Sequence, residues 1–330
     1  MQDISFGLEP TCIPLIGKPT PFTYITDSVF SDSTSISSQD KGVDSGTWSE
    51  TSADSGDNDS DPDDDEVITC SCVPDENSKS LCTVNDGDQC DCVSGYGNFY
   101  TTPTYDDTRQ DWIEQRLEVD ALPERLPLIE CSVHCPCAEG CSDRLTQTGV
   151  RVSVTVQIST SGIGYGLFYT PTSNVKLSKG SFISLYAGEY LTTPEARIRW
   201  SDQATNQKQG EGNYILTLKI SSSNEIWHID PRNKGNIGRF LNHSCEPNCI
   251  IQIVRWGVTS LFRAAIFTKR YIKKGEELTF DYANASGSPL SAEDLRRTSG
   301  NERLEVREKR TRCLCGTQTC RGWMPFDETL

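Results

Sequence analysis

The sequence predicts a mainly β protein whose β core lies between two cysteine-rich zinc modules. Three observations support this: short β-branched and aromatic segments recur between Arg151 and Tyr282, turn residues separate them, and most of the fifteen cysteines fall into clusters. The 330 residues are enough for one large core and a smaller module, because a domain usually takes about 100 to 200 residues. Only 35% of the residues are apolar, so part of the chain is expected outside the core.

The chain begins with a short N-terminal segment, residues 1–26, followed by a predicted acidic disordered linker, residues 27–66. The net charge is −16, and the linker alone contains thirteen acidic residues and one lysine. The run SADSGDNDSDPDDDE has no hydrophobic periodicity and little apolar surface to offset its ordering entropy. We interpret the linker as a flexible acidic spacer; the alternative is a block of negative charge that attracts a basic partner such as a histone tail.

Nine cysteines precede the β core, in a zinc module predicted for residues 67–149. They are Cys70, Cys72, Cys82, Cys90, Cys92, Cys131, Cys135, Cys137 and Cys141. A reducing compartment does not maintain disulfides, so this density indicates thiolate metal ligands. Nine thiolates satisfy three four-coordinate zinc ions if three of them bridge two metals each. The alternative is that some of these cysteines are buried structural residues. His134 lies among them but is not interpreted as a zinc ligand, because the thiolates alone complete the count.

Residues 150–283 are predicted to form the β core. Strands are predicted in RVSVTVQI, FISLYAGEY, NYILTLKI, EIWHI, CIIQIVRW and SLFRAAIF, which Gly, Pro and Asn separate. Helices are predicted for TPEARIRW, Thr193 to Trp200, and for SAEDLRR, Ser291 to Arg297, where the serine is placed to cap. Residues 284–308 are interpreted as a variable linker.

A second zinc module is predicted for residues 309–325, where CLCGTQTC supplies Cys313, Cys315 and Cys320. Three thiols leave a tetrahedral zinc site one ligand short. Cys245, in GRFLNHSCEPNC, is the predicted fourth ligand, which would pin the C-terminal tail to the middle of the chain. The remaining cysteines, Cys12 and Cys249, are interpreted as free thiols without an assigned role.

Three stretches of the core carry features that packing alone does not require. GIGYGLF, residues 162–168, places glycines on both sides of Tyr165, which permits close backbone approach to a ligand, although turns use the same residues. RFLNHSC, residues 239–245, groups an arginine, an asparagine and a histidine. ELTFDY, residues 277–282, ends a predicted strand in a phenylalanine, an aspartate and a tyrosine.

Together and in this order, these motifs resemble those of SET-domain protein lysine methyltransferases, and among them the heterochromatin-type histone methyltransferases. The resemblance extends over about Cys70 to Trp323. It implies the β-clip fold of the SET domain, with the NHSC segment threaded through a loop as a pseudoknot, one of the rare departures from simple chain paths. It also implies that three zinc ions in the preceding (pre-SET) module and one in the following (post-SET) module are structural.

The resemblance further implies S-adenosylmethionine as the methyl donor. The residues that would bind it are Ile163, Gly164, Tyr165, Gly166, Tyr214, Arg239, Asn242 and His243. Asn242 and His243 are expected to form hydrogen bonds to this cofactor through backbone and side chain. A role for His243 as a general base is the alternative.

Tyr282 matches the family's catalytic tyrosine, and Tyr214 and Phe280 are predicted to line the lysine channel with it. The attacking amine must be neutral, which is rare for a lysine in solution because its pKa is about 10.4. A dry channel and the positive charge of the donor both lower that pKa. Phenylalanine at position 280, where tyrosine restricts transfer to one methyl group, implies di- or trimethylation.

The expected function is methyl transfer to a lysine of a histone tail, on a histone peptide or nucleosome, in the nucleus. The alternatives are a methyltransferase for a non-histone lysine and an inactive SET-fold chromatin scaffold. The sequence has no targeting pattern and no long apolar run, so no membrane association is expected. Without a basic stripe, direct sequence-specific DNA binding is not expected either, and the protein is expected to be a monomer.

Overall fold

A computed structural model confirms the mainly β fold class. It describes residues 2–31, 93, 96–101, 104–106, 111–113, 115–122, 127–137, 141–159, 164–206, 213–220, 225–257, 261–283, 311–325, 327 and 329–330. Several predicted features lie outside the described residues: Cys70, Cys72, Cys82, Cys90, Cys92, Ile163 and the helix Ser291 to Arg297.

The strands in chain order are β1 (Gln2–Asp3), β2 (Pro14–Leu15), β3 (Thr23–Tyr24), β4 (Val29–Phe30), β5 (Thr104–Asp106), β6 (Asp111–Ile113), β7 (Leu128–Glu130), β8 (Val154–Ile158), β9 (Tyr165–Tyr169), β10 (Phe182–Leu185), β11 (Glu189–Leu191), β12 (Leu216–Ile220), β13 (Glu225–Asp230), β14 (Lys234–Gly235), β15 (Asn242–His243), β16 (Cys249–Trp256), β17 (Arg263–Thr268) and β18 (Glu277–Phe280). The helix α1 spans Thr193–Asn206, and short 3₁₀ helices span Val119–Ala121, Leu145–Thr148 and Ile237–Phe240.

Three sheets build the core. Their strand orders are β1-β2-β8-β9-β18-β15, β10-β17-β16-β7 and β12-β13-β11-β4. β16 pairs antiparallel with β17 over the β-branched run, and Ile266 and Phe267 of β17 are fully buried. β15 pairs in parallel with β18, so that His243 lies opposite Phe280. This pairing joins the NHSC and ELTFDY segments, as the predicted pseudoknot requires.

The helix predicted from Thr193 is present and continues beyond its predicted end to Asn206. Its start is fixed by the Glu195 carboxylate, which accepts hydrogen bonds from the backbone N and the Oγ1 of Thr192, both at 2.8 Å. The Glu195 carboxylate thereby satisfies the backbone N–H of the residue that precedes the helix, a donor that the start of a helix leaves without an intrahelical partner. Within the described part of the chain, no helix combines the length and the apolarity needed to cross a bilayer.

The N-terminal segment, to which the sequence assigned no structure, is built into the core. β2 pairs in parallel with β8, β3 with β14, and β4 with β11. Ile13 is fully buried, and the buried Glu9 accepts hydrogen bonds from Tyr24 Oη and Val150 N, both at 2.9 Å. Strands of two residues carry no periodicity, so the sequence pattern did not reveal them.

The acidic linker predicted to begin at residue 27 is wrong at its first residues. Residues 27–31 belong to the core, because β4 pairs there with β11 and Asp27 forms an ion pair with Arg263 at 2.7 Å. The Arg263 guanidinium also stacks on Trp256, 3.7 Å from the ring centroid. A defined partner for Asp27 therefore outweighs the tendency of an acidic run to stay solvated.

Ile13→Ala is expected to lower the free energy of unfolding by about 2 to 4 kcal/mol, because it opens a cavity at a fully buried site. Urea unfolding of the zinc-loaded protein, followed by tryptophan fluorescence, measures the loss. Cys12→Ala, at the exposed neighbouring position, is the matched control and is expected to change little. Equal effects of the two variants would contradict the placement of this segment in the core.

Candidate active site and zinc centres

An aromatic cluster forms where β18 meets β15. The Phe280 and Tyr282 ring centroids lie 4.6 Å apart, and Tyr186 packs edge-on against Phe280 at 6.1 Å. Tyr282 Oη donates a hydrogen bond to the Leu241 carbonyl at 2.9 Å. Burial raises the pKa of Tyr282 above its usual value, with smaller contributions from Tyr214 and a neighbouring carboxylate, so its hydroxyl stays neutral.

Tyr186 is a member of this cluster that the sequence analysis missed. It follows β10 within the stretch YAGEY, and only 5% of it is exposed. Its Oη donates to the Tyr214 carbonyl at 2.5 Å. Tyr186 thus contacts both Tyr214 and Phe280, which are predicted to line the channel. The sequence signal that could have indicated its role is a tyrosine at a strand end, directly before the Ala-Gly pair. A tyrosine at such a position is equally typical of ordinary core packing.

Arg239 is buried against aromatic rings rather than paired with a carboxylate. Its guanidinium carbon lies 4.2 Å from the Phe22 ring centroid and 4.7 Å from that of Tyr214. Its Nε and Nη1 have no hydrogen-bond partner among the described residues. Leaving buried donors unpaired is costly, so this guanidinium marks a place suited to an acceptor or an anionic group.

Asn242 holds the glycine turn. Its Nδ2 donates to the Tyr165 carbonyl at 3.1 Å and to Glu277 Oε1 at 2.7 Å. Glu277 Oε2 also accepts from Ser159 Oγ at 2.8 Å, so one carboxylate connects β15 with the β8–β9 hairpin. The observed contacts of the Asn242 amide are therefore with the protein, and its predicted contact with a cofactor stays a prediction.

His243 faces the C-terminal cysteines. Its Nδ1 accepts from the Tyr282 backbone N at 3.3 Å, and its Nε2 lies 3.4 Å from both Cys245 Sγ and Arg321 Nη2. Burial lowers the pKa of His243 below its usual value, although Asp281 opposes the shift, so the ring is neutral near pH 7. These contacts hold the ring between Tyr282 and the C-terminal cysteines, and both its expected hydrogen bond to the cofactor and the alternative role as a general base stay predictions.

The glycine turn has no room for larger residues at one of its positions. A Cβ on Gly166 would collide with the Glu277 carboxylate. Gly164 has φ +103°, a conformation that side chains disfavour, and apart from its chain neighbours no atom of the described residues lies within 4 Å of its added Cβ. The turn therefore exposes backbone on one side while its other side packs against the core.

The structure brings the four predicted C-terminal ligands together. The sulfur atoms of Cys245, Cys313, Cys315 and Cys320 all lie within 4.8 Å of one another. Cys245 Sγ and Cys313 Sγ are 3.8 Å apart, which is about the spacing that tetrahedral zinc with Zn–S bonds of about 2.3 Å requires. The donor set and its spacing therefore fit a structural zinc ion.

Three thiols of the first module also meet. The sulfurs of Cys131, Cys137 and Cys141 lie within 4.8 Å of one another and are buried. Cys135 is buried beside them but outside this group, with its Sγ 3.6 Å from Ser132 Oγ, whereas His134 is exposed. Three buried thiols suit zinc, while the predicted count of three ions depends on cysteines outside the described residues.

Comparisons with known proteins agree with this geometry. A SET domain family model matches residues 164–283. A probable histone-lysine N-methyltransferase, set-23 of Caenorhabditis briggsae, is 32% identical over 267 residues, which cover 79% of this chain and 89% of that protein. The histone-lysine N-methyltransferase SETMAR of Rattus norvegicus is 35% identical over 208 residues, or 62% of this chain. The matched part is about three fifths of the rat protein, 61% of its length.

Among solved structures, the chain is similar to the methyltransferase domain of human SETMAR. The TM-score is 0.63 at 26% identity, and the match covers 99% of this chain and 98% of that domain. The match therefore extends over nearly the full length of both chains.

Proposed function

The chain belongs to the SET-domain family, and from this we propose that it transfers methyl groups from S-adenosylmethionine to the ε-amine of a histone-tail lysine. The observation that carries the proposal is the aromatic cluster of Tyr186, Tyr214, Phe280 and Tyr282, placed by the β15–β18 crossing beside the glycine turn. The named relatives are histone-lysine methyltransferases, which favours a histone over another lysine substrate. A nuclear location follows from the same proposal.

The residues present fit the proposed cofactor. When bound, S-adenosylmethionine supplies an electrophilic methyl group next to its positive sulfonium. The unpaired Nε and Nη1 of Arg239 suit the carboxylate end of such a ligand, and the exposed backbone at Gly164 suits close approach. We infer that Arg239, the turn and Asn242 make up the binding surface.

The aromatic cluster prepares the substrate amine for attack. Its walls exclude water, which disfavours the ammonium form and lowers the pKa of the bound lysine. Because the Tyr282 hydroxyl stays neutral, it orients the amine by hydrogen bonding without acting as a strong base. The lysine would react as the neutral amine after its proton has passed to solvent, and the bond from the methyl carbon to sulfur would break as the bond to nitrogen forms.

Transfer of labelled methyl groups to recombinant core histones and to nucleosomes tests the proposal. We expect label on a histone tail, at a lysine that mass spectrometry then identifies. If the zinc-loaded protein binds S-adenosylhomocysteine but labels neither substrate, a non-histone lysine becomes the better reading. If the protein does not bind this ligand, an inactive scaffold becomes the better interpretation.

Phe280→Tyr is expected to restrict the product to monomethyl-lysine, whereas the parent protein forms di- or trimethyl-lysine. Phe280 is buried, with Tyr186 and Tyr282 on either side, so an added hydroxyl fills space that a methylated amine would need. Mass spectrometry of a peptide at saturation reads out the product. Phe262→Tyr, at a buried core position outside the cluster, is the control. A parent protein that stops at one methyl group would contradict the prediction.

A further inference from the structure

The N-terminal segment contacts the glycine turn through the hydroxyl of Tyr165. The backbone N of Lys18 donates a hydrogen bond of 2.7 Å to Tyr165 Oη. The carbonyl of Tyr165 accepts from Asn242 Nδ2 at 3.1 Å. The central residue of the turn is therefore held at both ends, by Asn242 from the core and by Lys18 from a segment 147 positions away in the sequence.

The backbone conformation of Gly17 and its lack of a side chain permit this contact. Its φ is +117°, and a Cβ added there would lie 2.5 Å from Tyr165 Oη and 2.8 Å from the ring carbon Cε1. Contacts this close are incompatible with the observed position of the ring. The backbone of residues 17–18 reaches the tyrosine because position 17 lacks a side chain.

The segment is rigidly anchored just before this contact. Ile16 N donates to the Val156 carbonyl at 2.8 Å, and Ile13 is fully buried. The Asp3 carboxylate accepts hydrogen bonds from Ser5 and from the backbone N of Gly7 and Ile13. The position of Lys18 N is thus fixed by the core, and it fixes Tyr165 in turn.

We propose that Gly17 and Lys18 are positioning residues that set the cofactor affinity of the turn through the Tyr165 hydroxyl. The hydroxyl contact holds the strand end from which residues 164–166 present their backbone. A phenylalanine there cannot accept this bond, and neither can a tryptophan, whose indole nitrogen only donates. This inference rests on the proposed function, because it takes the turn to bind S-adenosylmethionine.

Tyr165→Phe tests the contact with the loss of one oxygen atom. We expect the Kd for S-adenosylhomocysteine, measured by calorimetry on the zinc-loaded full chain, to rise about fivefold, the typical effect of one hydrogen bond. The KM for S-adenosylmethionine should rise alike, while kcat at saturating donor changes less than twofold. Tyr190→Phe is the matched control, since Tyr190 Oη donates to the Phe262 carbonyl at 2.8 Å away from the turn. It should leave the Kd unchanged.

Gly17→Ala tests the segment itself. It is expected to raise the same Kd by tenfold or more, because the methyl group displaces Tyr165. Gly7→Ala adds a methyl group at a similarly positive φ of +82°, where no atom of the described residues other than its chain neighbours lies within 4 Å, and so it controls for backbone strain. Equal Kd values for Gly17→Ala, Tyr165→Phe and the parent protein would overturn the inference. A parent protein that does not bind the ligand would instead refute the proposed function.

Discussion

Tyr282→Phe is expected to lower kcat by about 100-fold or more, the typical effect of removing one hydrogen-bonding group from an active site. The hydroxyl lies within the aromatic cluster, 2.9 Å from the Leu241 carbonyl, and its neutral state makes it a hydrogen-bonding group for the amine. Steady-state methyl transfer to a histone peptide measures the change. Tyr271→Phe, at a tyrosine that is 60% exposed, should leave kcat unaltered.

The defect should be confined to the chemical step. Phenylalanine keeps the ring packed against Phe280, so zinc content and affinity for S-adenosylhomocysteine should match those of the parent protein. A variant that retains more than a tenth of the parent kcat would show that the Tyr282 hydroxyl is not needed for methyl transfer. A variant that loses ligand binding would indicate a role in the fold instead.

The sequence predicted those parts of the site that lie in continuous motifs. NHSC and ELTFDY each contain adjacent polar and aromatic residues, and the structure pairs the two segments strand to strand. The number of zinc ligands predicted the link from Cys245 to the C-terminal cysteines, because three thiols leave a tetrahedral zinc site one ligand short. In the structure the four sulfur atoms lie within 4.8 Å of one another.

Residues whose roles depend on long-range contacts were not predictable in this way. Phe22 and Tyr186 look like ordinary apolar positions, yet one stacks on Arg239 and the other packs against Phe280. In the sequence Glu277 is one more acidic residue of a predicted strand, and only the structure reveals its hydrogen bonds with Asn242 and Ser159. Such roles arise from the crossing of distant segments, which no local periodicity encodes.

Cys245→Ser is expected to release one zinc ion per chain and to lower methyl transfer by about 100-fold or more. Three thiolates bind zinc far less tightly than four, and a hydroxyl is a poor replacement ligand. Metal analysis by mass spectrometry gives the zinc content directly. Cys12→Ser, at an exposed cysteine outside both thiol groups, should keep the full content.

The large effect on activity is expected because the C-terminal zinc site links the C-terminal tail to the end of β15. Cys245 lies two residues after the end of β15, and its sulfur accepts from the backbone N of Arg321 at 3.4 Å. Arg321 Nη2 in turn donates to Asp281 at 2.6 Å, next to Tyr282. Without zinc the tail loses its anchor, so hydrogen exchange of residues 313–325 should accelerate together with the loss of activity. Loss of zinc with unchanged exchange and activity would show that this metal does not organise the active site.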